Sequence, residues 1–360
     1  MENDLKAIFD TFEHNTTFLK SRPINSGHIN STYFIETKPY DASNFVLQKI
    51  NSYVFKNIPA LIQNKVLVTE HLNNNSKSNT TQIQLIKSKS GNFYCTDADN
   101  NYWNLMIYIP ESKVYLKANK LKLAAEAGKL FGKFFFDLKD FKTENLSITI
   151  PNFHDIEYRF LEFITAKNQA EFERIISAEQ YINQIYSHID EMRILHRLKI
   201  NGEFPLRVTH NDTKLSNALF DKNSNALAVI DLDTLMPGLV HYDFGDSIRT
   251  ICSSADEDEA DLSKVHFRLN YFKAFATSFI SQCGPILTKK ELQHFVLASK
   301  YMVFIMAMRF LTDFLNKDLY YKINFPTHNL IRAKNQFALL QSMNRQQSEM
   351  QKIIDDIQID

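Results

Sequence analysis

The chain has 360 residues, 44% of them hydrophobic, enough to bury a large core in two lobes and too many for one small domain. Its 41 basic and 41 acidic residues cancel, so no global field draws it to nucleic acid or to an anionic membrane, and a small partner fits better. The three cysteines, Cys95, Cys252 and Cys283, are odd in number, far apart and without metal-ligand spacing, which argues for reduced thiols in the cytoplasm rather than a disulfide framework.

"MENDLKAIFD" lacks the basic and apolar regions of a secretory signal and reads as the start of a short amphipathic helix carrying Leu5, Ile8, Phe9 and Phe12. Strand-like segments follow: "TTFLKSRPI", "STYFIET" and "NFVLQKI", the first two joined by the loop "NSGHIN". "VFKNIPALIQNKVLVTEHLNN" predicts a helix, with Pro59 tolerable only near its start. After the polar turn "NNNSKSNTT" come three more strand candidates, "QIQLIKS", "NFYCT" and "YWNLMIYI". Residues 1–110 thus predict a β-rich lobe with one inserted helix. Residues 111–360 predict a helical lobe, interrupted by a compact β-rich island at 206–231. The most apolar late stretch, "YMVFIMAMRFL", is broken by Arg309 before a bilayer could be spanned, so a soluble protein is expected.

The island begins "RVTHNDTKLSNALFDKNSNALAVIDLDT". A short strand delivers His210, Asn211 and Asp212 into a loop; Asn217 follows, and Asp231 closes the apolar run "ALAVID". Each residue alone suits a turn or a cap. Together they supply what phosphoryl transfer needs: a base for the hydroxyl proton and oxygen ligands for Mg²⁺ on ATP phosphates. Oxygen donors without sulfur or clustered imidazole suit Mg²⁺ rather than zinc.

"HNDTKLSN" with "VIDLDT" resembles the aminoglycoside phosphotransferase and choline kinase superfamily, whose pattern is H-x-D-x-x-x-x-N followed by I-D at a strand end. "GHIN", "VTEHL", "IDLDT", "MPGLVHYDFGDSIR" and "RFLTD" bring the resemblance closest to the N-acetylhexosamine 1-kinases. The resemblance implies an α+β, bilobal protein-kinase-like fold, with a small β-rich nucleotide-binding lobe and a larger helical lobe. It implies that Asp212 is the catalytic base, that Asn217 and Asp231 hold Mg²⁺, and that His210 braces the catalytic loop. ATP would then meet the loop around Gly27, His28 and Asn30, a lysine on "NFVLQKI", and main-chain groups near Tyr108 and Ile109. Lys49 is the only lysine on that strand, with Glu70 as its natural helix partner. Alternation, however, sends Gln48 and Lys49 to opposite faces, and either could face the phosphates.

Asp243-Phe244-Gly245 spells the magnesium tripeptide of protein kinases, yet it lies beyond a loop marked by Pro237 and Gly238. The resemblance assigns that place to a structural aspartate before a helix, with Asp243 or Asp246 accepting backbone N–H groups. Asp233 either supports the metal ligands or approaches the substrate. Arg249, Arg309 and Asp313 are further expected substrate residues; the alternative for Arg309 is an ion pair with Asp313 along one helix face.

The expected activity is ATP- and Mg²⁺-dependent phosphorylation of the anomeric hydroxyl of an N-acetylhexosamine. Alternatives are a kinase of an aminoglycoside, choline or another amino alcohol, and a nucleotide-binding pseudokinase.

Overall fold

The computed structural model describes residues 2–24, 29–39, 42–74 and 80–358. In chain order the first part comprises α1 (Glu2–Phe9), β1 (Thr17–Pro23), β2 (Ser31–Lys38), β3 (Phe45–Lys49), α2 (Ile58–Asn74), β4 (Leu85–Ile86), β5 (Cys95–Thr96), β6 (Tyr102–Ile107) and β7 (Lys113–Val114). Next come α3 (Leu121–Asp137), α4 (Ile156–Gln169), α5 (Phe172–Ile200), β8 (Arg207–Thr209), β9 (Ala218–Phe220), β10 (Ala226–Val229) and β11 (Met236–Gly238). The chain ends in α6 (Val240–Ile251), α7 (Leu269–Cys283), α8 (Lys289–Gln293), α9 (Phe295–Leu315), α10 (His328–Arg345) and α11 (Gln347–Asp355). This is the α+β class that the sequence predicts, and Pro59 is the second residue of α2, where a missing N–H costs nothing.

The chain folds as two compact units. The first comprises residues 1–114, 137–151 and 216–237, and the second 115–136, 152–215 and 238–360. The first unit thus takes in two later segments, which a single division at residue 110 does not contain. The cause is strand pairing: β7 pairs antiparallel with β9, Lys113 opposite Phe220, and so draws in the β9–β10 hairpin.

In the first unit, six antiparallel strands run β1-β2-β3-β6-β4, with β5 also on β6. Alternation along β3 divides its side chains. Phe45 and Leu47 pack with Leu5 and Phe9 of α1 and with Trp103 and Leu105 of β6, and Lys49 follows them, its Nζ 5.9 Å from the centre of the Trp103 ring. Gln48 takes the other face, where α2 lies.

The second unit is built around α9, which packs against α4, α5, α6 and α10. By length and composition α9 could cross a membrane, but 83% of its most apolar window is buried inside the fold. Gly245 explains how closely α6 approaches it: a Cβ there would stand 2.3 Å from the Ala298 carbonyl oxygen. Phe244 stacks on Phe295 with ring centres 4.3 Å apart. The Asp-Phe-Gly tripeptide is therefore part of a helix crossing. Cys252 and Cys283 are buried free thiols, whereas Cys95 is only partly buried.

Candidate active site

In the second unit, β8 leads into the loop His210–Lys214, and this loop is fastened from several sides. The Asp243 carboxylate is fully buried and accepts the N–H groups of His210 and Asn211, each at 2.7 Å. It thus serves the loop rather than the start of its own helix. Burial pushes its carboxyl up to about 8, while the two N–H groups pull the other way. The Thr213 hydroxyl donates to the Asp243 carbonyl at 2.5 Å, and Ser247 donates to the Thr213 carbonyl at 2.9 Å. Asn211 sits at φ 64, a left-handed conformation that Asn tolerates better than most residues.

His210 is enclosed edge-on by Phe131 and Phe134, and its Nδ1 accepts the Asp212 N–H at 3.2 Å. That bond fixes the proton on Nε2 and orients the Asp212 backbone. On the other side, His154 Nε2 donates to the Asn211 carbonyl at 3.1 Å. Asp212 is partly exposed, and its Oδ2 lies 2.7 Å from Lys214 Nζ. Lys214 was not among the expected residues; its position two after the aspartate expected to be the base was the available signal.

In the first unit, the β9–β10 hairpin brings Asn217 and Asp231 to one end. The Ile230 N–H donates to the Asn217 carbonyl at 2.9 Å, and Asp231 is the next residue. Asp231 adopts φ 61, ψ 54 and opens the short 3-10 turn Leu232–Thr234. A left-handed non-glycine residue persists only when its surroundings hold it. Asn217 and Asp231 offer oxygen donors alone, and no cluster of three His, Cys, Asp or Glu side chains suited to a metal occurs among the described residues. That donor set fits Mg²⁺, which commonly takes one or two protein oxygen ligands and completes its shell with phosphate and water.

Asp233, expected either to support the metal ligands or to approach the substrate, is engaged within the fold. It is buried, lies 2.5 Å from Lys65 Nζ in α2, and accepts from the Asn30 amide. Asn30 also accepts the Asn51 N–H at 2.9 Å, so it braces the strand ends rather than standing free for a nucleotide. Gly27 and His28 lie outside the described residues. The expected Lys49–Glu70 pair is not formed. Lys49 lies over Trp103, Glu70 is exposed, and Lys65, which the sequence offered no reason to single out, is the buried helix cation. At the strand end, Tyr108 N–H donates to the Asn44 carbonyl at 2.9 Å and the Ile109 carbonyl accepts from Ser112 at 2.7 Å, so both groups are engaged within the fold.

Two of the other expected substrate residues are also engaged. Arg249 is buried between Asp246, at 3.0 Å, and Glu257. Asp313 does not pair with Arg309; it accepts the N–H groups of Tyr320 and Tyr321 at 2.8 and 2.9 Å and the Asn329 amide at 2.9 Å, and burial pushes its carboxyl up. Arg309 is partly exposed; its Nη1 donates to Met306 Sδ at 3.7 Å, and its guanidinium lies 5.4 Å from the Phe153 ring centre and 5.6 Å from those of Tyr320 and Tyr321. Near it, the Tyr321 hydroxyl and His154 Nδ1 are buried without a hydrogen-bond partner among the described residues. Burial first, and the Arg309 charge second, lower the His154 imidazole to about 3, so it is neutral at pH 7 and its Nδ1 is an acceptor.

Among solved structures, a spectinomycin phosphotransferase in complex with ADP and spectinomycin is 12% identical, with TM-score 0.60 over 97% of this chain and 99% of that one. An aminoglycoside phosphotransferase from Alicyclobacillus acidocaldarius is 11% identical, with TM-score 0.62 over 95% and 96%. A Plasmodium vivax ethanolamine kinase is 12% identical, with TM-score 0.58 over 92% and 84%. At such identities these likenesses establish the fold, which is protein-kinase-like. The model of the phosphotransferase enzyme family matches residues 20–269, well over half of the sequence, and the chain therefore belongs to that family as a small-molecule phosphotransferase.

Proposed function

We propose that the protein transfers the γ-phosphoryl group of ATP to the anomeric hydroxyl of an N-acetylhexosamine. Supporting the transfer is the fastening of Asp212: four contacts hold the loop around it, while its own carboxylate stays partly exposed. Asp212 accepts the hydroxyl proton as the sugar oxygen forms its bond to phosphorus and the bond to the ADP oxygen breaks. Lys214 Nζ pairs with that carboxylate, 2.7 Å from its Oδ2. Asn217 and Asp231 would be the protein ligands of Mg²⁺, which when bound neutralises charge on the phosphate oxygens. For the adenine, the Tyr108 carbonyl and the Ile109 N–H are the main-chain groups of choice, because the Tyr108 N–H and the Ile109 carbonyl are engaged elsewhere.

The choice of acceptor rests on the group around Arg309. It offers a guanidinium donor and the exposed Tyr320 phenol, which both donates and accepts, while the Tyr321 hydroxyl and the His154 imidazole beside them are buried, and His154 joins the group to the residue before Asp212. A neutral polyol with an amide needs such mixed donors and acceptors, whereas a polycationic aminoglycoside would meet a positive charge there. The acidic run at 255–262 also has polar partners of its own. Asp256 pairs with Lys117, Glu257 with Arg249, Asp258 with His328 and Glu259 with Lys264. Free thiols at all three cysteines fit a cytoplasmic enzyme.

The test is an acceptor panel with ATP, scored for sugar 1-phosphate. Asp212→Asn should lower turnover by roughly 10²–10⁴-fold, the usual worth of a general base. Arg309→Ala should raise the KM for the acceptor and leave that for ATP unchanged. Phosphorylation of choline or an aminoglycoside with untouched N-acetylhexosamines would refute the choice of acceptor, and unchanged turnover in Asp212→Asn would refute the mechanism.

A further inference from the structure

In the first unit, the segment just after Asp231 is gripped by two consecutive residues of α2. Asn64 Nδ2 donates to the Leu235 carbonyl at 2.8 Å, and Lys65 Nζ meets Asp233 Oδ1 at 2.5 Å. Asn64 is itself locked to Ser147, giving to its carbonyl at 2.8 Å and taking its N–H at 2.9 Å. Lys65 is held on its other side by Gln48 of β3, at 3.3 Å, and Gln48 in turn accepts from Asn104 of β6, at 3.3 Å. An unbroken chain of polar contacts thus runs from the sheet through Gln48, Lys65 and Asp233 to the turn that Asp231 opens. The side chains of Lys65 and Asp233 are 2% and 3% exposed, so this ion pair is shielded from solvent.

The arrangement reverses the charges expected for a strand and a helix in this position. The strand contributes an amide and the helix a lysine, and the carboxylate comes from the segment that carries the metal ligand. We infer that Lys65 is a positioning residue for the metal site: through Asp233 it holds Asp231 in the left-handed conformation from which its carboxylate can serve as a ligand. The inference rests on the Mg²⁺ role proposed above for Asp231. Physically, Asp231 occupies a sparsely populated left-handed region of the backbone, which contacts from neighbouring elements help to hold. Lys65, Asn64 and Asn30 supply such contacts, and of these three residues Lys65 brings a full charge. Asp233 then needs no substrate; its place is to receive the tether.

The experiment compares the full-length protein with Lys65→Met, Asp231→Asn and the double variant Lys65→Met/Asp233→Leu. The double variant removes both buried charges together and keeps the fold intact if Lys65→Met alone does not fold. Mn²⁺ binding in the presence of a non-hydrolysable ATP analogue is followed by electron paramagnetic resonance, and hydrogen exchange is read at the amides of residues 231–235. Lys65→Met and the double variant should weaken Mn²⁺ binding by ~10–100-fold, the effect typical of groups that orient metal ligands. Exchange at 231–235 should quicken, the half-saturating Mg²⁺ concentration for turnover should rise, and the acceptor KM should stay at its parent value. A folded Lys65→Met or double variant with parent-like Mn²⁺ affinity, while Asp231→Asn loses the metal, would overturn the role of Lys65 and leave the metal site standing. Parent-like affinity in Asp231→Asn would overturn both.

Discussion

Replacing Asp243 by alanine removes the acceptor of two buried backbone donors, the N–H groups of His210 and Asn211, both bonded at 2.7 Å. His210 and Asp243 are fully buried and Asn211 is 5% exposed, so water does not readily replace the lost oxygens. An orphaned buried donor costs about 1–3 kcal/mol, so Asp243→Ala should lose roughly 2–6 kcal/mol, a large share of the ~5–15 kcal/mol that folded proteins have. Asp243→Asn keeps one acceptor and turns an N–H toward the other donor, so its loss should be smaller, about 1–3 kcal/mol. Both are measured by urea unfolding followed by far-ultraviolet circular dichroism, with hydrogen exchange at residues 210–213 as the local readout. A loss below ~0.5 kcal/mol in Asp243→Ala, the range of ordinary surface changes, together with unaltered exchange, would refute the anchoring role.

Two other outcomes follow from packing and titration. Gly245→Ala would drive a Cβ to 2.3 Å from the Ala298 carbonyl oxygen and 2.6 Å from Met302 Cγ, so α6 and α9 must part. The expected loss is about 1–3 kcal/mol or more, read as a lowered unfolding temperature; a parent-like transition would refute the close crossing. His241 is buried, and burial lowers its imidazole to about 4, whereas an unfolded histidine titrates near ~6.5. The unfolded chain therefore binds the extra proton as pH falls below that value, and stability declines toward pH 4. His241→Gln should flatten this acid limb relative to the parent, and identical limbs would exclude His241 as a contributor.

The candidate site could be proposed from the sequence because its pattern is local. Asp212, Asn217 and Asp231 fall within one strand, loop and hairpin, and the spacing of such a unit is written along the chain. The demotion of Asp-Phe-Gly was legible too, because a proline and a glycine separate it from the hairpin. Lys65 was not legible. On paper it is one more lysine in an amphipathic helix, and its burial follows from Asp233, 168 residues away. The partners of Asn30, Arg249 and Asp313 were hidden for the same reason, since a polar side chain near a motif shows its partners only after folding.

The amino-acid sequence by itself determined the fold class, the order of strands and helices, and the type of chemistry, because periodicity, turn residues and short motifs act over a few residues. Only the tertiary structure decided which face of β3 meets α2, which lysine is buried and what Asp243 holds. Those outcomes depend on pairing charges and donors that lie far apart in the chain, and a buried charge or N–H must find its partner wherever the packing of the sheet and helices leaves one.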